Sequence, residues 1–378
     1  MRTLTASRAR LGSTAALLGA LLAACSSGSP RPDPAPLTPV QATVEANRVW
    51  SAKLGPVSFP LQVHVQGTRV TLASDNGLVA EFDAESGRQN WRVALGAPLT
   101  AGVGSDGQTS AVVTRNNEVI ALAEGREIWR HKLDTQSYTA PLVAGGRVFV
   151  LGADRSITAL DARSGGSLWH VSRQTEPLVL RQSGALLAVG NTLVVGLAGR
   201  LAGVDPDTGS SRWEVPVASA RGVNDVEKLV DLVGPVHRQG QTVCVRAFQA
   251  TVGCVDTVSG QLLWSKAAKG ETGIGGNETR LFGVESDGQV VAWTAATGER
   301  AWEVKSLQWR RLTAPLALGR SVVVGDEEGW LHLLSREDGQ FTNRLKTDGS
   351  AIAAAPVVAG NTLLAVTREG GVFAFRPQ

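Results

Sequence analysis

The sequence predicts an all-β chain: one eight-bladed β-propeller of four-stranded antiparallel blades, its ring closed by an N-terminal strand that joins the C-terminal blade. Three observations predict it. The turn DAESGRQNW at Asp83 returns as DARSGGSLW at Asp161, DPDTGSSRW at Asp205, DTVSGQLLW at Asp256 and TAATGERAW at Thr294, with a shorter EGREIW at Glu124. Each copy ends on a Trp four residues after its Gly, at Trp91, Trp129, Trp169, Trp213, Trp264 and Trp302, and the intervals of 38 to 51 residues are those of propeller blades. The two ends of the chain supply complementary parts of one more blade.

Every repeat follows one order. An Ala-Pro start (Ala97, Ala140, Ala314, Ala355) leads into an alternating run such as GRVFVLGA, a polar turn, a second run such as SITALDA, the Asp-Gly turn and a strand carrying the Trp. Alternation of period two bounded by turn residues means strands, and 43 Gly and 16 Pro supply the tight turns between them. Asp and Ser/Thr hydrogen-bond their own turn, Gly takes the positive-φ position, and Trp fills the wedge between neighbouring sheets. A seventh copy, REDGQFTN, ends on Asn343 instead of Trp. The final hairpin from Thr362 stops at Gln378 without a Trp strand, while RVWSAKLG around Trp50 matches RQNWRVALG around Trp91. Joined, the two ends make the eighth blade, and closure removes exposed sheet edges.

The N-terminus reads as a transport signal. Arg2, Arg8 and Arg10 precede an apolar run at residues 11–24, too short for a stable membrane-spanning helix. The run ends in Leu22-Ala23-Ala24-Cys25, which resembles a bacterial lipobox and implies that Cys25 is lipidated. Ser26 after the Cys favours outer-membrane anchoring. The predicted organisation is therefore a signal peptide at residues 1–24, lipidated Cys25 and a Pro-rich tether at residues 25–45, and the propeller at residues 46–378. Residues 1–24 hold three Arg and no acid, so the remainder carries 34 basic and 34 acidic side chains and offers no global field for nucleic acid. Cys244 and Cys254 lie on consecutive strands of one hairpin, and the sequence leaves open a disulfide or two buried thiols.

The repeat A-x-D-x-x-[S/T]-G-x-x-x-W resembles the tryptophan-docking repeat of quinoprotein dehydrogenases. Lipobox, Pro-rich tether and eight such blades together resemble the outer-membrane protein assembly factor BamB family. That resemblance implies a periplasm-facing lipoprotein of the barrel-assembly complex, a partner in the POTRA domains of BamA, contact with unfolded outer-membrane protein clients, and no cofactor. LVLRQSG at residues 178–184 is similar to a Leu-x-Leu-Arg segment with which the family contacts POTRA domains, which assigns that role to Leu178, Leu180 and Arg181. The insertion at residues 220–235 is similar to a family loop with an Asp-x-Asp pair. Here it has Asp231, but Val233 stands where the second acid would be.

Leu beside Arg also suits a partner-facing patch on its own terms, against the alternative that the leucines turn inward. Enzyme signals are weaker. Gly102, Gly104 and Gly107 match a dinucleotide fingerprint by spacing, but a hairpin pattern follows where a helix is required. The five His, at 64, 131, 170, 237 and 332, fall in different repeats without ligand spacing, so neither a metal nor a catalytic residue is assigned. A quinone-cofactor dehydrogenase and a generic envelope-binding propeller are the competing readings. The first expects adjacent cysteines and long inserted loops that this chain lacks.

Overall fold

A computed structural model describes residues 31–172, 178–219 and 229–377. Lipidation site Cys25 and residues 220–228 of the insertion lie outside them. All the regular structure described is β, in eight four-stranded antiparallel sheets, as the sequence predicts. Strands are lettered a to d from the axis outward, the a strands of neighbouring blades lying against one another. Blades one to seven are formed in chain order between His64 and Lys346. Blade eight takes strands a to c from Val357–Ala359, Thr362–Val366 and Gly371–Pro377, and its d strand from Ala46–Lys53. Trp50 of that N-terminal strand stands opposite Ala374.

The motif explains itself once the blades are in place. Each Trp of a d strand lies on the c–d turn of the next blade, and at five of these joints its indole N–H donates to the carbonyl of the residue after the turn's first position. Trp50 donates to Ala84 (2.8 Å), Trp129 to Ala162 (2.8 Å), Trp169 to Pro206 (3.0 Å), Trp264 to Ala295 (2.9 Å) and Trp302 to Arg336 (3.1 Å). The turn Gly is required twice over. Gly87 has φ +74° and Gly165 +72°, and a Cβ there would stand 2.7 and 2.6 Å from the rings of Trp50 and Trp129. Within the turn, Asp83 accepts from the Ser86 N–H (2.8 Å) and hydroxyl (2.6 Å), and these bonds hold its carboxyl below the ordinary range. Asp161 and Asp256 do the same in their own turns, and Asp205 accepts the Thr208 N–H.

The residue before each Trp is the extra one of a bulge: Trp169 pairs with Ala159 and Ser167 with Leu160, leaving Leu168 unpaired. Val49, Ile128 and Leu263 occupy the same place in their blades, and all four are exposed. The bulge twists the outer strand so that Trp turns inward while its predecessor points to solvent. Cys244 and Cys254 stand directly opposite each other in blade five and are joined by a disulfide, which resolves the two alternatives the sequence leaves open.

Asn343 marks the one joint without a continuous c–d turn. The c strand of blade eight ends and its d strand begins at opposite ends of the chain, so no Asp-Gly turn exists there to receive a Trp from blade seven. Asn343 instead donates to the Val44 carbonyl (2.7 Å), and the N–H groups of Thr43 and Val44 reach the Thr342 carbonyl. Residues 35–44, which the sequence assigns to the tether, thus form a strap across blade seven: compact contacts place Ala35–Gln378 in one unit. Leu37 packs against the apolar cluster that includes Leu307, Leu312 and Val324.

A buried ionic network holds the strap. Arg310 donates to the carbonyl of Ala35 (2.9 Å) and pairs with Asp326 (2.8 Å) and Glu328, while Arg344 donates to the carbonyl of Thr38 (2.9 Å). The Arg344 Nε–H must donate to His332 Nδ1 (3.1 Å), so the His332 Nε2–H donates to Asp326 (3.0 Å) and the ring is neutral. Burial lowers the His332 pKa below its ordinary 6.5, against the pull of Asp326.

Two predictions follow from this joint. Asn343→Trp loses the Val44 bond, worth about 1 kcal/mol, and finds no turn to dock on. It lowers the melting temperature, and a rise would contradict the docking rule. A His whose folded pKa is depressed leaves stability intact above its unfolded pKa and removes it as pH falls below that value. Urea midpoints should therefore drop between pH 7 and 5, with a shallower drop in His332→Gln; an equal or steeper drop in the variant would exclude His332 as the acid-sensitive group.

Candidate functional site

Antiparallel order gives the ring two unlike faces. The a–b and c–d turns lie on one face, and the b–c turns and the connections between blades on the other, here the loop face. Residues 178–184 connect blades three and four on the loop face, and residues 229–231 lead into blade five.

The structure brings the two predicted segments together. One Asp231 carboxylate oxygen accepts the Leu180 N–H (3.2 Å), and the other pairs with Arg155 (3.0 Å) from the b–c turn of blade three. The Asp231 carbonyl accepts the Phe248 N–H (2.9 Å). Further along, the Gly184 N–H donates to the Thr139 hydroxyl (2.9 Å), and the Gly234 N–H to the Ser183 carbonyl (2.7 Å). The loop is thus stitched to blades three and five at once. A cavity of about 50 Å³ lies beneath it, lined by Tyr138, Arg155, Leu180 and Asp231 among others.

The stitching divides the predicted residues into two kinds. Leu178 is 41% exposed, and Arg181 is exposed with its guanidinium 6.0 Å from the centre of the Tyr138 ring. These two are presented to solvent. Leu180 is half-buried and lines the cavity, so the sequence's outward reading suits it only in part, while Asp231 has both carboxylate oxygens engaged inside the chain. Asp231 shapes the loop. Val233 is 1% exposed and stands opposite Arg246, a guanidinium buried against Trp293. Burial pulls the Arg246 pKa down to about 10, with Glu285 opposing. An acid at position 233 would face this buried cation rather than a partner.

Two contributors escape the sequence reading. Arg155 sits where other b–c turns place a left-handed Gly or Asn, such as Gly77 and Asn117, and itself adopts φ 62°. An Arg in that conformation costs on the order of 1 kcal/mol, and this outlier within an aligned repeat is the signal that would have revealed it. Tyr138, the platform for Arg181, is the single Tyr of the chain.

Fold and site define an eight-bladed tryptophan-docked propeller with a braced loop cluster on one face. A family model described as outer membrane protein assembly factor BamB matches residues 75–304 and 277–378. The assembly factor BamB of Burkholderia pseudomallei is 38% identical over 366 residues, 95% of each chain, and that of Bordetella pertussis 34% over 355 residues, 93% of this chain and 92% of the relative. The crystal structure of BamB from Moraxella catarrhalis superposes with a TM-score of 0.80 at 27% identity, covering 88% of this chain and all of the other. A quinohemoprotein alcohol dehydrogenase from Comamonas testosteroni gives 0.67 at 14% identity, over 87% of this chain and 76% of that one, a likeness of fold alone. The chain belongs to the outer membrane protein assembly factor BamB family.

Asp231→Asn removes the partner of a half-buried cation, and should lower unfolding stability by about 1–3 kcal/mol in urea titrations. Restoration by Arg155→Met in the same chain would show that the loss is the stranded charge; no loss in the single variant would mean that the loop holds without its brace.

Proposed function

We propose that this chain is a lipid-anchored, non-enzymatic scaffold of outer-membrane β-barrel assembly. It docks on the POTRA domains of BamA through Leu178, Arg181 and the loop that Asp231 braces, and so positions those domains, or unfolded clients, near the barrel. The carrying observation is the loop itself: an exposed Leu and an exposed Arg, held on a backbone that is pinned from both sides. Preorganised loops on a rigid ring lose little entropy on docking, and a paired apolar and guanidinium contact is a common interface anchor. The outer-membrane location rests on the family and on Cys25, and no helix among the described residues is long and apolar enough to cross a membrane.

An enzymatic role has less support. The repeated carboxylates are engaged in their own turns, where Arg212 holds Asp205 down at a pKa of about 2. The Gly102–Gly107 pattern falls on the first hairpin of blade two, not at a helix N-terminus. Capture of client strands on the outer blade edges is also disfavoured, because each outer strand is bulged beside its Trp, or beside Asn343 in blade seven, and a bulged edge pairs poorly.

Titration of the full chain in detergent against isolated POTRA domains tests the docking. Arg181→Glu should weaken binding at least tenfold, as expected for reversing one member of a close charge pair, with circular dichroism unchanged. Saturable binding that the substitution leaves intact would displace the interface from this loop.

A further inference from the structure

Beside the braced loop, nearer the centre of the loop face, lies a second and larger hollow of about 490 Å³. Its walls come from four successive connections and one turn: residues 58–60 before blade one, Leu99 and Thr100 before blade two, Arg115 in the b–c turn of blade two, Gln136 and Tyr138 before blade three, and Arg181 before blade four. It shares Tyr138 with the small cavity under the braced loop, so the two lie side by side.

The chemistry of the lining is one-sided. None of these residues is acidic. Arg115 is exposed, and neither Arg115 nor Arg181 has a carboxylate partner among the described residues. The Tyr138 hydroxyl donates to Gln136 Oε1 (2.6 Å), which leaves the Gln136 amide N–H groups to donate elsewhere. Asp75 is turned to the Ser58 N–H (2.8 Å). Half-buried Pro60 and the largely buried Phe59 form an apolar part of the wall. A hollow of this volume holds a drug-sized molecule or a few peptide side chains, and the donor groups of Arg115, Arg181 and Gln136 lie on its wall.

We infer that this hollow receives an extended acidic segment of the docked protein partner, with Arg115 acting as a second guanidinium beside Arg181. The inference rests on the docking reading above and extends its footprint from blades three to five across to blades one and two. Two cations delivered by separate connections of the ring fit a chain bearing spaced carboxylates better than a single small anion. Local charge has to supply the recognition, because the mature chain has no net field. A partly enclosed pair of this kind governs both the on-rate and its salt dependence.

The test uses the full chain in detergent against isolated POTRA domains, with Arg115→Glu, Arg115→Gln and Arg181→Glu, and with Arg163→Glu on the turn face as a charge-matched control. Arg115→Glu should weaken binding about tenfold and flatten its salt dependence, Arg115→Gln should have a smaller effect of the same sign, and Arg163→Glu should bind within twofold of the unaltered chain. Wild-type affinity in Arg115→Glu and Arg115→Gln alongside loss in Arg181→Glu would overturn the inference and leave loop docking standing. Equal weakening by Arg115→Glu and Arg163→Glu would reduce the effect to net charge and overturn it too. No binding by the unaltered chain would remove both readings.

Discussion

The indole of one blade resting on the Gly turn of the next is the contact on which this ring depends. It carries a direction, always from blade n to blade n+1, and it sets the composition of both partners. The turn must be Gly, since a Cβ would crowd the ring, and at five joints the carbonyl after the turn's first residue faces the neighbour and accepts the indole N–H. Burying such a ring is worth roughly 1.5–3 kcal/mol, and a ring of repeated joints adds such terms around a closed path. Closure also explains the exception. Where the c and d strands of blade eight come from opposite chain ends, the receiving turn vanishes, and Asn343 takes a backbone carbonyl of the arriving strap instead.

Much of this was legible because repetition aligns the sequence with itself. The fixed four-residue step from Gly to Trp, the period and the complementary chain ends gave blade number and closure directly. The strap was not legible: residues 35–44 are Pro-rich and look like linker, and what binds them is a network of Arg310, Asp326, His332 and Arg344 scattered through blade seven. The five His looked unrelated by spacing, yet His332 works with partners brought to it by the fold. The division of labour in the candidate site was hidden for the same reason. Leu178, Arg181 and Asp231 are separable in sequence only as two segments; that Asp231 braces and Arg181 presents follows from Arg155, which the b–c turn of another blade delivers.

The two faces of the ring then have different duties. The turn face is taken up by the joints themselves, with Asp, Ser and Gly committed to holding Trp. The loop face is free of that demand, so its connections can vary in length and carry Leu178, Arg181, Tyr138 and Arg115 without disturbing a joint. The residues proposed for docking thus lie where the architecture imposes least.

The most direct measurement is amide hydrogen exchange of the full chain with and without POTRA domains. The account predicts new protection at residues 178–184 and 229–234, with uptake unchanged in the c–d turns on the opposite face. Protection confined to those turns, or absent from the loop face when the complex is saturated, would contradict it.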